Sequence, residues 1–179
     1  MGQYYKAIIL EDKDTDDAPE VIAGCLESWT YNNGAKLMEH SWIGNEFVER
    51  VEAKLINQYD GRRIVWAGDY ADPEPNTEEN LYDMTTEFHN YHIGKPTQTF
   101  RYIINHTMKE YVDKQRVFPD KDGWQIHPLP LLTCEGNGRG GGDYGGNDQN
   151  LVGLWARNTI SVSNDIPDGY EELLFTLHE

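Results

Sequence analysis

Residues 134–147 read CEGNGRGGGDYGGN, seven glycines in fourteen positions, with Arg139 and Asp143 among them. Each glycine loses more backbone entropy on folding than any other residue. That loss is offset where the chain needs positive φ, a tight turn or close approach to something bound, which makes this loop the leading site. Consecutive N–H groups on a glycine turn can form an anion-binding nest. Arg139 can add a bidentate fork for phosphate or carboxylate. Asp143 can accept from a ribose or base edge, or orient Arg139. The residues expected to touch a small anionic ligand or a protein partner are Glu135, Gly138, Arg139, Gly140, Gly141, Asp143 and Tyr144. Gly136, Gly138 and Gly141 have the spacing of a dinucleotide fingerprint, but the glycines that follow cannot open a helix. A P-loop is excluded because no Lys-Ser or Lys-Thr follows.

A second group can do proton transfer. His40 with Asp69 or Asp72 would form an acid–base pair if the AGDYAD turn (67–72) folds beside residue 40. This is the enzymatic alternative, a small hydrolase or transferase. Trp42 and Trp66 are walls on which a planar ring can stack, with the hydrophobic core as their ordinary place. His89 and His92 are three apart on an expected helix, but two ligands do not close a zinc site and HExxH is absent. No metal and no cofactor is expected. Cys134 has no adjacent His and reads as a buried, inert thiol.

These residues need a frame. Residues 4–10 and 21–29 read as strands, with Gly24 as a bulge. Residues 36–42, KLMEHSW, read as a strand with Met38, His40 and Trp42 on one face. Asn45 caps a helix in which Phe47, Val48, Val51 and Leu55 recur at helical spacing. Residues 62–66 form a short strand. Asn76 and Glu79 have capping-box spacing before a second helix that carries Leu81, Met84, Phe88 and Tyr91. Residues 99–114 read as two strands around Asn105-His106-Thr107. Residues 127–134 read as extended, because two prolines oppose a helix interior. Residues 151–163 read as one bent strand or two, and 171–177 as a strand or short helix. The sum is a single domain, 1–179, of the α+β class: a largely antiparallel β-sheet with two helices packed on one side.

The balance of 15 basic against 31 acidic residues gives a net charge of −16. A chain this acidic repels phosphate backbones, so no direct nucleic-acid partner is expected. A basic protein partner is the complementary reading, as for an acidic decoy. The loops 11–20 and 72–80 read as solvated acidic loops. Two widely separated cysteines make no disulfide framework. The opening lacks a basic-then-apolar pattern, and no run approaches the ~18 apolar residues of a membrane span. A cytoplasmic protein with no membrane partner is the expectation, with oligomeric state unread.

Six strings carry a resemblance: MGQYYKA at the start, KLMEHSW (36–42), RIVWAGDYAD (63–72), INHTMKEYVDK (104–114), PLLTCEGNGRGGGDY (130–144) and VGLWARNTISVS (152–163). Together they resemble a family of small proteins encoded by bacteria and their phages. The resemblance spans almost the whole chain. It implies one domain in a bacterial cell or phage-infected host, and it names no catalytic residue.

Overall fold

The segment YKAIIL is buried on both faces, which the chain achieves by making it an inner strand. In the computed structural model, which describes residues 3–31, 33–86, 98–136, 144 and 149–177, this is β1 (Tyr5–Leu10). It pairs antiparallel with β2 (Ile22–Leu26) on one side and β3 (Arg63–Gly68) on the other. The two-residue alternation splits its side chains. Tyr5, Ala7 and Ile9 enter the main core, whereas Ile8 and Leu10 join a smaller cluster with Cys25, Val65, Ala67 and Leu81. Lys6 lies on that second face. Its ammonium donates to Tyr82 O at 3.0 Å and Thr85 Oγ1 at 3.2 Å, and pairs with Glu27 at 3.3 Å.

The register of β1 on β2 shifts between Ile9 and Leu10, as the bulge reading of Gly24 required. Gly24 is also needed for space. A Cβ there would sit 2.1 Å from the Tyr59 hydroxyl.

The strand reading of 36–42 is corrected. Leu37–His40 forms one helical turn, α1. Leu37 buries there with Met38 packed against the same core, while Lys36 and Glu39 pair at the surface, so one helical turn replaces the two-faced strand. The helix α2 (Glu46–Ile56) forms as expected. Asn45 accepts from Val48 N–H at 3.1 Å, and Phe47, Val48, Val51 and Leu55 bury one face. The next cap is Asn80, not Asn76: its side chain accepts from Asp83 N–H at 2.9 Å to start α3 (Leu81–Met84). Asn76 instead adopts a left-handed backbone, φ 63°. The rest of the expected second helix, with His89 and His92, lies outside the described residues.

The hairpin reading of 99–114 holds. β4 (Tyr102–Asn105) and β5 (Glu110–Asp113) pair antiparallel around a turn at 106–109. The extended reading of 127–134 does not hold. Pro128–Thr133 is a helix, α4, fully buried. Both prolines sit in its first turn, where the missing N–H has no intrahelical partner to lose. β6 (Cys134–Glu135) follows and pairs parallel with β3. Residues 151–158 are turns rather than strand, and β7 (Ile160–Ser163) pairs with β4. β8 (Glu171–Glu172) pairs parallel with β5, and Phe175 and Leu177 beyond it bury without strand structure.

The fold is α+β with mostly antiparallel pairing. Its strands divide into two four-stranded sheets, β2-β1-β3-β6 and β7-β4-β5-β8. One cluster gathers the inner faces of both sheets around α2 and α4, with Trp155 at its centre, fully buried. The sheets meet along the edge of β3 that β1 leaves free. Ile64 bonds there to Asn158 O at 3.1 Å and to Arg157 N–H at 2.8 Å, and β6 takes the same edge farther along. Among the described residues, no helix is long and apolar enough to cross a membrane.

Overpacking at Gly24 gives a direct check. Gly24→Ala is expected to cost about 1–3 kcal/mol in urea denaturation, with Tyr59→Phe restoring part of the loss. Gly61→Ala faces open space at φ 74°. It should cost about 1–2 kcal/mol from backbone strain alone and gain nothing from Tyr59→Phe.

Candidate functional site

The edge of β3 brings together two residues 22 apart in sequence. Glu135 leaves β6 at the root of the glycine-rich segment, and Arg157 sits in the turn before β7 with φ 65°. Arg157 Nε donates to Glu135 Oε1 at 2.9 Å and Nη2 to Oε2 at 2.8 Å, a parallel fork. The same Nη2 lies 2.7 Å from Glu74 Oε1, and Nη1 lies 3.7 Å from Glu20 Oε1. Glu20 in turn holds Arg63 by a two-pronged contact and Lys13 at 2.7 Å. Burial alone would lower the Arg157 pKa. Hydrogen bonds and charge from Glu135, then Glu74, reverse this and raise it further above its ordinary value.

This network floors a cavity of about 610 Å³ between the loop 13–20 and the loop 74–77. Lining it are the carboxylates of Asp16, Asp17, Glu20 and Glu74 and the cations of Lys13 and Arg157. The two loops are therefore not merely solvated. Each turns one glutamate inward onto an arginine. The second loop is rigidly built: Glu74 N–H reaches Glu79 O at 3.0 Å, and Thr77 Oγ1 bonds both Glu74 O and Glu79 O. Asn80 then clamps Asp69 O and Ala71 O at 3.1 and 3.0 Å.

No contact among the described residues assembles the expected acid–base pair. Asp69 Oδ1 accepts the Tyr4 N–H at 3.0 Å, fastening the start of β1, and Asp72 is exposed. His40 ends α1 with its ring against Gly34, where a Cβ would sit 1.9 Å from Nε2. Its Nδ1 is out of solvent without a hydrogen-bond partner among the described residues. No hydrogen bond or ion pair joins His40 to either aspartate there. Trp66 is a core residue, packed edge-on to Phe47. Tyr144 also belongs to the core and so anchors the glycine-rich segment. Trp42 is half-buried and faces a smaller cavity. Gly138, Arg139, Gly140, Gly141 and Asp143 lie outside the described residues. Cys134 donates its thiol to Leu131 O, and burial pushes its pKa up to about 12.

Two clusters escaped the sequence reading. His127 Nε2 lies 2.6 Å from Glu52 Oε1, and Lys114 Nζ lies 2.8 and 3.1 Å from the two Glu52 oxygens. His127 Nδ1 accepts from Leu129 N–H at 3.1 Å and so caps α4. The ring is then a neutral tautomer whose Nε2–H donates to Glu52. Burial lowers the His127 pKa, opposed by Glu52. Burial also pushes Glu52 up, but His127 and Lys114 more than offset it and Glu52 stays low. Both side chains are sealed from solvent, so this is a fastening of α4 to α2 rather than a reaction centre. The second cluster is exposed. His106 bonds Ser161 Oγ at 2.7 Å through Nε2 and Tyr170 OH at 2.8 Å through Nδ1. Its third member is a phenol rather than a carboxylate, and it ties the β4–β5 turn to β7. Among the described residues, no cluster of three His, Cys, Asp or Glu is arranged to hold a metal.

No family model matches this chain, and neither does a curated protein or a solved structure.

The buried histidine predicts an acid-sensitive fold. With the folded-state His127 pKa below 6.5, the unfolded chain takes up the proton first. Stability is complete above that pH, falls as pH drops below it, and levels once the folded value is passed. Glu52, held below 4.5, adds a second fall in the same direction. His127→Ala should cost about 3–5 kcal/mol at pH 7 and flatten the decline between about pH 6.5 and 5 in denaturant titrations.

Proposed function

We propose that this chain is a binding protein without a reaction of its own, and that the cavity floored by Arg157 is its ligand seat. The observation that carries this reading is the cavity's size and charge taken together. Its volume of about 610 Å³ falls within the range of small-molecule sites, about 300–1,000 Å³. Its lining carboxylates outnumber its cations, and both cations are already engaged by glutamates. An incoming positive group therefore gains charge complementarity, and an incoming anion meets carboxylates. The ligand class is a small organic cation, or the basic side chain of a protein partner. The chain's net charge of −16 draws such a group from a distance.

The anionic reading keeps only its sequence argument, since Arg139 lies outside the described residues. The resemblance to small bacterial and phage proteins suggests a setting and no ligand.

Calorimetry with spermidine and agmatine at low ionic strength tests the proposal. Binding is expected, weakened by added salt. Glu74→Gln should reduce affinity roughly tenfold, equivalent to about 1.4 kcal/mol. Absence of heat from either cation, or an unchanged affinity in Glu74→Gln, would refute the assignment. Tighter binding of inorganic phosphate than of either cation would point to the anionic reading instead.

A further inference from the structure

We infer that a second cleft, at Trp42 and Trp124, is a seat for the guanidinium of an arginine side chain presented by a basic peptide. The cleft shares no lining residue with the cavity above Arg157, and the inference does not depend on that cavity being occupied.

Its walls are built, not accidental. Residues 41–43 run antiparallel to 125–127: Trp42 bridges Ile126, Ile43 N–H reaches Gln125 O at 2.7 Å, and His127 N–H reaches Ser41 O at 3.0 Å. A turn holds Trp124 from the other side. Asp120 Oδ1 accepts from Asp122 N–H at 2.9 Å and Trp124 N–H at 2.8 Å, and Trp124 O accepts from Asp120 N–H at 2.8 Å. Gly123 supplies the left-handed residue that this turn needs, φ 87°. The two indoles meet edge to face, with centroids 5.2 Å apart at 61°. Trp124 nevertheless leaves 53% of its surface in water. The cleft that the pair borders is about 180 Å³, completed by Met38, Ser41, Ile126 and the carboxylates of Glu39 and Asp120.

Indole faces attract cations through the ring quadrupole, and a planar guanidinium also stacks on them. Carboxylates beside the rings complete the match by accepting its N–H groups. A neutral ring would stack equally well, but it would cover Glu39 and Asp120 without a countercharge. Glu39 is held by Lys36 at 2.8 Å in an exposed pair, a weak contact that an arriving guanidinium can displace. Among the described residues, Asp120 makes no ion pair, so its charge is available to the guest.

Triarginine amide, its uncharged citrulline analogue and trilysine amide discriminate this seat, followed by calorimetry and tryptophan fluorescence. Triarginine should bind with a change in emission, citrulline should fail, and trilysine should be weaker. Trp124→Ala should weaken triarginine roughly tenfold, with Trp124→Phe intermediate and far-UV circular dichroism unchanged in both. Equal binding by citrulline overturns the charge argument, and equal binding by trilysine overturns recognition of a planar guanidinium. Binding that survives Trp124→Ala overturns the site. If that binding is lost in Glu74→Gln instead, the peptide occupies the larger cavity, and the two assignments are separated.

Discussion

The left-handed turn at Arg157 is the constraint on which the rest of the architecture depends. Few non-glycine residues hold φ near 65° unless their surroundings fix them. Here the fixing is twofold. The backbone of Arg157 bonds Ile64 on the edge of β3, and its side chain forks onto Glu135. Together with Asn158 and Thr159, which bond the same edge, Arg157 joins the two sheets, and its side chain also holds Glu135 and gathers Glu74 from a distant loop. The arrangement is costly in isolation, because partly buried charges lose hydration. It stands because every glutamate at the floor of the cavity meets a cation.

A second polar clamp works at the far side of α2. Glu52 is on a helix face that should be apolar, and it is accepted there because Lys114 and His127 converge on its two oxygens. His127 satisfies an orphan N–H of α4 with its remaining nitrogen. The two clamps have different chemical standing. The first borders an open cavity and still has carboxylates to spare, and the second is closed on itself. That contrast is the physical ground for placing binding at Arg157 and structure at His127.

Local signals in the chain were read well where they were strong. The Asn45 cap with its apolar stripe, the hairpin at 102–113 and the bulge at Gly24 all follow from spacing within a dozen residues. The misreadings have physical reasons. Residues 36–42 read as a strand, yet the adjacent Leu37 and Met38 both reach the core from a single helical turn, Leu37 fully buried and Met38 packed at its edge. Residues 128–133 carry two prolines, but both fall where a helix tolerates them. The site was harder. Glu20, Glu74, Glu135 and Arg157 sit in four separate segments, and two of those segments read as solvent-facing acid. Trp124 lies 82 positions beyond Trp42, so no local spacing pairs the two rings. Among the described candidates, Glu135 carried over to the network under the larger cavity and Trp42 to the wall of the smaller one, because no local pattern encodes which loops the sheet edge draws together.

Hydrogen exchange, followed peptide by peptide with and without spermidine, reads directly whether a cation occupies the cavity above Arg157. Slower exchange is expected in residues 13–20 and 74–77 alone when the cation is present, with the strands unchanged. Unaltered exchange in both loops at saturating spermidine, or protection that appears elsewhere, would contradict it.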